Sequence, residues 1–394
     1  MALTDKLVAI ADAIREKDGS TGTMTLAEMP GRIAAIETGG GGSTSDPLDP
    51  VEVYNTTRPS DWLSMPTPAD NEMYLLFHIP DGVSSLLAFT VTCTGNYTVA
   101  LGSVSDGAFV QMSSTTVASR SKYEAELFAD DYSDLTSDGM KQVMVKVSGT
   151  DILTWAPSTH SKKTSPSNFA GWNIVEIACR IPSGTSVACV SSTGNASLKK
   201  LRYFAWYGNN AVTDMSSMFN NCYSLTAIPH LNTSAVTAMS YMFYDCYSLT
   251  AIPQLDTSAV TNMSGMFYGC LSLTTIPQLD TSAATNMSNM FPNCYSLTTI
   301  PQMDTSAVTD MSNMFFNCNS LTSITLNNTV TGWAGYAISL SNCSLGHAAI
   351  VAFFNSLPTI TAAKAITLTG NPGVSELTDA EKAIATGKGW TLTL

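Results

Sequence analysis

Apolar side chains recur every 24 residues in the segment 201–330. Five copies share the form A-V-T-x-M-S-x-M-F-x-x-C-x-S-L-T-x-I-P-Q-L-D-T-S, and we call them repeats 1 to 5. They begin at Ala211, Ala235, Ala259, Ala283 and Ala307. In repeat 2 the recurring apolar positions are Met239, Met242, Phe243, Cys246, Leu249 and Ile252.

The spacing within each repeat predicts its local structure. Steps of three and four residues from Met to Cys predict one face of a short helix. The Leu-x-x-Ile-Pro segment that follows has room only for a short strand, because proline blocks a helix there. One helix and one strand per repeat predict a leucine-rich-repeat α/β solenoid over 201–330, in which stacked repeats complete each other's core.

The segment 331–394 carries related signals. Two stretches, 338–345 and 366–371, fit the pattern L-x-L-x-x-[N/C], in which Asn or Cys bonds the turn after a strand. An amphipathic helix lies between them, with Val351, Phe354 and Leu357 on one face. A capping box, Thr-Asp-Ala-Glu at 378–381, opens a second helix, and 390–394 alternates as a strand. We expect a leucine-rich-repeat-like C-terminal cap.

Residues 51–200 show short alternating or apolar runs without helical periodicity. Examples are 73–79, 87–93, 141–147 and 174–179, separated by Gly, Asn, Asp and Ser clusters. This pattern predicts a β-rich domain of the antiparallel sandwich or jelly-roll type. The acidic stretch 120–139 predicts a solvated helix or loop.

Residues 1–37 predict two short helices. Leu3, Leu7, Ile10 and Ile14 form one helical stripe, and a capping box at 25–28 opens the second helix. The Gly/Ser/Pro-rich segment 38–50 is typical of a flexible linker. Helices this short cannot bury their stripe alone, so we expect 1–37 to self-associate or to dock on another protein. A frayed hairpin that does neither is the alternative.

Charge restricts the classes of partner. Charged residues are only 12% of the chain, the net charge is −13, and no Lys or Arg occurs from Tyr203 to Ala363. Nucleic acid and anionic membranes attract clustered basic residues, so neither is expected as a partner. No apolar run reaches 18 residues, so we expect no membrane insertion. The N-terminus lacks the apolar core of a signal peptide, and synthesis in a cytoplasm is expected.

The nine cysteines do not form a metal-binding pattern. Five of them, one per repeat from Cys222 to Cys318, are 24 residues apart, and no C-x₂-C pair occurs. A free cysteine packs as a small apolar side chain. We expect buried, reduced thiols, with disulfides as the alternative, and neither a metal nor another cofactor.

Three segments resemble known families. The unit D-T-S-A-V-T-x-M-S-x-M-F-x-x-C-x-S-L-T-x-I-P resembles the BspA-like leucine-rich repeat of bacterial and protist surface proteins. The opening A-L-T-D-K-L-V-A-I-A-D-A-I-R-E-K, with T-L-A-E-M-P after it, resembles N-termini of tail fibre or minor tail proteins from phages and prophages of Gram-positive bacteria. The ending L-T-D-A-E-K-A-I-A-T-G-K-G-W-T-L resembles the C-termini of those proteins. Together these resemblances imply a virion tail protein, released by lysis, that presents repeats to the host surface.

Side chains on either side of the predicted strand are candidate ligand contacts. They are Thr226, Thr250, Thr274, Thr298, His230, Gln254, Gln278 and Gln302. A second candidate row is aromatic and consists of Tyr223, Tyr247 and Tyr295, whose rings suit stacking on sugars. The alternatives are that repetition merely copies soluble residues and that the rings pack between repeats.

The acidic residues of the repeats are expected to have structural rather than catalytic roles. Asp256, Asp280 and Asp304 precede Thr-Ser, and such sequences form Asx-turns that bond nearby backbone N–H groups. The repeats contain no Glu and one histidine, so no catalytic site is predicted there. The remaining candidates for a glycan depolymerase are Glu124, Glu126, Asp130 and His160, whose spacing is not diagnostic.

We therefore expect a phage tail adhesin that is not an enzyme and that recognises a host-surface glycan or protein receptor. Residues 1–37 are expected to bind other tail or baseplate proteins and to support a homo-oligomer, as a trimer. The alternatives are a cell-surface BspA-like adhesin and a tail-associated depolymerase.

Overall fold

The computed structural model describes residues 59–80, 84–132, 136–137, 139–157, 174–180, 186–187, 198–206, 212–324, 326–327 and 337–394. The predicted helical segment 1–37 and the linker 38–50 lie outside these residues. The described chain is β-rich with few helices, and it contains a sheet domain, the repeats and a C-terminal cap. It belongs to one compact unit, Val53–Leu394.

The described residues of the sheet domain form eight strands. They are β1 Glu72–Pro80, β2 Ser84–Ser105, β3 Ala108–Ala118, β4 Lys122–Phe128, β5 Met140–Pro157, β6 Ile174–Arg180, β7 Ser186–Val187 and β8 Tyr203–Trp206. Their order is β3-β2-β5-β1-β6-β8, with β4 also on β2 and β7 also on β5. We predicted two packed sheets, whereas the described strands share one. Long β2 makes this possible, because it pairs β4 along one half and β3 along the other.

The central strand β1 is buried on both faces. It lies between β5 and β6, and successive side chains of a strand point to opposite faces. Met73, Leu75 and Phe77 enter the main core, while Tyr74 and Leu76 enter a smaller cluster on the other face. This explains why β1 is an apolar run rather than a strict alternation.

The prediction of a solvated helix or loop over 120–139 is wrong for its first half. Lys122–Phe128 forms β4, and Ala129–Asp131 forms a single 3₁₀ turn. Tyr123 and Leu127 are buried, and the acidic side chains alternate with them. Because buried and acidic side chains alternate with a period of two residues, this segment forms a strand rather than a helix.

Successive repeats are joined by parallel backbone hydrogen bonds. Isolated bridges connect equivalent positions from Asp214 in repeat 1 to Asp310 in repeat 5. Every second N–H from Met215 to Asn221 donates to a carbonyl of repeat 2, at N···O distances of 2.7–3.0 Å. Between them, the N–H groups of Met218 and Asn220 donate to carbonyls three residues back, and that of Ser216 donates to the Asp214 carboxylate.

The predicted helix between Met and Cys is wrong, because this segment is a series of turns. Ser217 and Asn221 have φ values of 59°, in the left-handed region. Equivalent positions of later repeats share this conformation: Tyr241, Asp245, Gly265, Gly269, Asn289, Asn293, Asn313 and Asn317. A left-handed residue every fourth position ends each turn before a helix can continue. Asn, Asp and Gly, which tolerate that region, fill most of these positions.

The strand after Ile is shorter than predicted. Where the structure assigns it, β9 (Met303–Asp304) pairs in parallel with β10 (Leu326–Asn327), and Thr299 bridges Ser323. The longer ladder between repeats runs through the turns that precede the Cys.

The predicted apolar core of the repeats is confirmed. Met239, Met242, Phe243, Cys246, Leu249 and Ile252 are all buried. The phenylalanines from Phe219 to Phe315 stack with centroids 5.5–5.7 Å apart and planes within 10° of parallel. Phe204 of β8 meets Phe219 edge-on at 5.0 Å, so the core continues from the sheet into the repeats.

The repeat cysteines are buried thiols that are not paired in disulfides, as predicted. Each thiol from Cys246 to Cys318 also donates to a Phe carbonyl of the preceding repeat, at 3.0–3.2 Å. Burial raises the pKa of the Cys270 and Cys294 thiols well above the usual value. These thiols therefore keep their protons and link neighbouring repeats.

The cap follows its prediction closely. Strands β11 (Ile338–Ser339), β12 (Lys364–Thr367) and β13 (Trp390–Thr393) form a parallel sheet, with helices α1 (His347–Ser356) and α2 (Asp379–Thr386) between them. The capping box at Thr378 is present. The Asn371 amide donates to the carbonyls of Leu340 and Leu368 and accepts from the Leu345 N–H. The turn-bonding role predicted for this asparagine is confirmed.

Candidate binding faces of the repeats

The predicted threonine row lies on the surface. Thr226, Thr250, Thr274 and Thr298 are exposed. The N–H groups of Thr274 and Thr298 donate to the carbonyl of the preceding threonine in the row, at 3.3 and 3.2 Å. Their hydroxyls donate to the same carbonyls, at 3.4 and 3.3 Å. The row is therefore a ladder along the stack, and we call it the first threonine row.

A second threonine row was missed by the sequence analysis. It consists of Thr213, Thr237, Thr261, Thr285 and Thr309, all exposed. From Thr237 onward, each hydroxyl donates to the carbonyl of the preceding threonine in the row, at 2.9–3.3 Å. The sequence signal for this second row was the threonine that follows Ala-Val or Ala-Ala in every repeat. It lies next to the start of the backbone ladder.

Internal hydrogen bonds determine whether both threonine rows offer donors or acceptors to a ligand. A hydroxyl has one proton and two acceptor lone pairs. In Thr261 and Thr285, as in Thr274 and Thr298, that proton is directed to a carbonyl of the same stack. The exposed rows consequently present acceptors.

The glutamine row has the same property. Gln254 Nε2 donates to the carbonyls of Leu255 and Gln278, at 3.1 and 2.6 Å. Gln278 Nε2 donates to the carbonyls of Leu279 and Gln302, at 3.1 and 2.8 Å. A primary amide has two N–H donors, so both donors of these side chains are used between and within repeats. The exposed amides offer only their oxygens.

The other members of this row are also exposed. His230 takes the equivalent position in repeat 1, and Gln302 takes it in repeat 4. The Gln302 carbonyl accepts the bond from Gln278. The row is thus both a brace between repeats and an exposed surface.

The tyrosines that follow the cysteines are not equivalent. Tyr223 and Tyr247 are half-buried and stack on each other, with centroids 4.5 Å apart and planes 6° from parallel. Tyr295 in repeat 4 is 43% exposed. Burial first, and then the nearby Asp245 carboxylate, raise the pKa of Tyr247 to about 12. Its hydroxyl therefore remains protonated.

The Asx-turn prediction is confirmed. Asp256 and Asp280 each accept hydrogen bonds from the N–H and hydroxyl of the serine two residues later, at 2.6–3.1 Å. These bonds hold the pKa of both carboxyls below the usual value. Within the described ranges, no group of three or more His, Cys, Asp or Glu side chains is arranged to hold a metal ion.

The structure describes only part of the group of enzyme candidates. Glu124 lies on β4 and forms an ion pair with Lys122. Glu126 lies on the same strand, whereas the Asp130 side chain and His160 fall outside the description. Neither α1 nor α2, the helices of the described chain, has the length and apolar character needed to cross a bilayer.

Comparison with known proteins gives a family match over the repeats. Residues 195–298 and 248–337 match the family described as Mycoplasma protein of unknown function, DUF285. This match supports the BspA-like character of the repeat region, and it covers less than half of the chain. No curated protein was found to match the chain.

Proposed function

We propose that the protein is a non-catalytic phage tail adhesin whose BspA-like repeats form a solenoid and bind a polyhydroxyl glycan of the host surface. The observation that carries the proposal is the exposed array of acceptors along the first threonine row and the adjoining glutamine row. Sugar hydroxyls donate readily to such acceptors. Each contact is worth only about 0.5–1.5 kcal/mol, so affinity has to come from several repeats and several copies.

The tail assignment rests on the two ends of the chain. Their resemblance to phage tail proteins supports a virion location, with residues 1–37 attaching the protein to other tail or baseplate proteins as a homotrimer. A trimer would place three repeat stacks on one particle and raise the effective affinity.

The Lys- and Arg-free stack favours a neutral glycan over a phosphate-rich wall polymer. A negative surface repels such a polymer, and the repulsion grows as salt is lowered. The acceptor rows add a second reason, because phosphate oxygens are themselves acceptors and gain nothing from them.

Whole-cell and glycan binding by the full chain tests this function. Replacing Thr250, Thr274 and Thr298 by Val removes three acceptors from the first threonine row. From the contact energies above, binding should fall by about tenfold or more. The matched control replaces Thr237, Thr261 and Thr285 by Val in the second row, which removes three internal hydroxyl bonds, against two in the first variant. Unchanged binding by the first variant would refute the assignment.

A cell-surface BspA-like adhesin is the second candidate, because the matching family is described from a cellular organism. Immunogold labelling separates the two. Label on tail tips of induced particles supports the first proposal, and label on the cell envelope alone supports the second.

A further inference from the structure

Five tyrosines of repeats 1 to 3 form two ring clusters, which together we call the tyrosine platform. Its members are Tyr223, Tyr241, Tyr244, Tyr247 and Tyr268. Besides the Tyr223–Tyr247 stack, Tyr244 stacks on Tyr268 at 4.7 Å. Tyr241 meets Tyr244 edge-on at 5.8 Å and is 42% exposed. Such faces carry negative electrostatic potential and attract cations.

A carboxylate lies beside the rings. Asp245 is only partly exposed, and burial raises the pKa of its carboxyl, opposed by a hydrogen bond with Tyr247. Its charge acts on Tyr223, Tyr244 and Tyr247, which places it within range of both stacks. The equivalent residues of repeats 1, 4 and 5 are asparagines, so the acid is particular to this part of the surface.

Two glycines of repeat 3 make the arrangement possible. A Cβ atom on Gly265 would collide with the Tyr241 ring, and one on Gly269 would collide with the Asp245 carboxylate. Leu271 and Pro292 replace the next tyrosines along the two rows, so the platform ends there. The residues of repeats 1 to 3 that build the platform therefore differ from the repeat consensus at several positions together.

The platform already holds one ammonium group. Lys199 Nζ lies 5.2 Å from the centroid of the Tyr223 ring. The next Lys or Arg in the chain after Arg202 is Lys364, so no residue within the repeats can supply a second cation. The exposed Tyr241 ring is accessible to a cation from outside.

We propose that the tyrosine platform binds a lysine side chain of a partner protein, with the ammonium group against Tyr241 and Tyr244 and near Asp245. This site shares no residue with the threonine and glutamine rows of the proposed function, and it takes a protein rather than a glycan. Lys199 provides the precedent for a lysine on these rings, and the acidic surface provides the complementary charge.

Saturation-transfer NMR on the full chain tests the site with the peptide acetyl-Gly-Lys-Gly-Lys-Gly-amide. The main variant is Asp245→Asn, which keeps the size and suits the left-handed backbone, as Asn221 and Asn293 do at equivalent positions. Its dissociation constant should rise by roughly fivefold to tenfold. Tyr244→Leu should weaken binding similarly, and Tyr295→Leu, an exposed tyrosine outside the platform, should have no effect.

Two further probes identify the cation. The same peptide with acetylated lysines should not bind, because it lacks the ammonium charge. A glucosamine tetramer that bound more tightly than the peptide in an Asp245-dependent way would overturn the lysine assignment. Equal binding of the charged and acetylated peptides, or wild-type affinity in Asp245→Asn with an unchanged melting curve, would overturn the site. The Thr→Val variants should bind the peptide normally, so failure of the glycan proposal remains distinguishable.

Discussion

The sheet domain and the repeats reach the same degree of burial by different connectivity. In the sheet domain Leu75 pairs with Val145 and with Ile177, far along the chain. In the repeats, a residue bonds mainly its equivalent in the adjacent copy, as Thr285 does with Thr261. Contacts between distant segments make a domain unfold as a whole, whereas nearest-neighbour contacts confine damage to adjoining units.

The two regions also differ in how polar groups are used. In the sheet domain an ion pair, Lys146 with Glu72 at 2.6 Å, bridges β5 and β1. The repeats have no cation, and their hydroxyls, amides and thiols donate to backbone carbonyls of neighbours instead. Donors are thereby consumed inside the stack, and its threonine and glutamine rows are left with acceptors.

The largest expected effect comes from removing a core phenylalanine in each region. Phe77→Ala and Phe267→Ala both empty a fully buried site and should each reduce the free energy of unfolding by about 3–5 kcal/mol. Hydrogen exchange should then differ. Phe77→Ala should speed exchange across β1, β2 and β5, whereas Phe267→Ala should speed it in repeats 2 to 4.

Phe316→Ala, at a 39% exposed ring, is the control for general destabilisation. Uniform acceleration of exchange throughout the chain in Phe267→Ala would show that the repeats do not behave as nearest-neighbour units.

A smaller effect should separate buried from exposed threonines within the repeats. Thr281 is 1% exposed, and its hydroxyl donates to the Asp304 carbonyl at 2.8 Å. Thr281→Val leaves that carbonyl without its partner and should cost about 1–3 kcal/mol in urea unfolding. Thr285→Val removes a similar bond at the surface, where water can replace it, and should cost about 0.5 kcal/mol or less. Equal losses of unfolding free energy in the two variants would mean that burial does not determine how much these hydrogen bonds stabilise the fold.

The smallest effect concerns acid stability of the repeats. The folded pKa values of Asp256 and Asp280 are lowered by the bonds from Ser258 and Ser282. A lowered folded pKa gives stability that is present above the unfolded value, near 3.9, and is lost as pH falls through the folded value.

Asp256→Asn with Asp280→Asn should therefore lose less melting temperature between pH 5 and pH 2.5 than the wild type, about the range in which these groups titrate. Asn232 already serves this turn in repeat 1, so the fold should persist. An identical acid profile in the double variant would assign acid sensitivity to other carboxylates. Replacement of Asp61, whose pKa is lowered by Ser137, would then test the sheet domain.

The sequence by itself determined which side chains are buried and which serve turns. The 24-residue period located Met239, Phe243 and Cys246 in the core, and Asp-Thr-Ser located the Asx-turns. The capping box at Thr378 and the bonding role of Asn371 were also readable. The buried positions follow from apolar spacing, and the Asx-turns and the capping box follow from hydrogen bonds between residues close in sequence. The role of Asn371 follows from a sequence pattern whose hydrogen-bond partners are set by the fold.

Only the tertiary structure decided the path of the backbone between Met and Cys. Helical spacing and successive turns place the same side chains inward, and the parallel bonds to the next repeat favour the turns. The left-handed Asn and Gly residues were the available sequence signal. The neighbouring repeat, 24 residues away, determines how the hydroxyl proton of Thr274 and the amide protons of Gln254 are bonded. It also determines which tyrosine rings contact each other. A single copy of the repeat therefore cannot specify the surface that a stack of them presents.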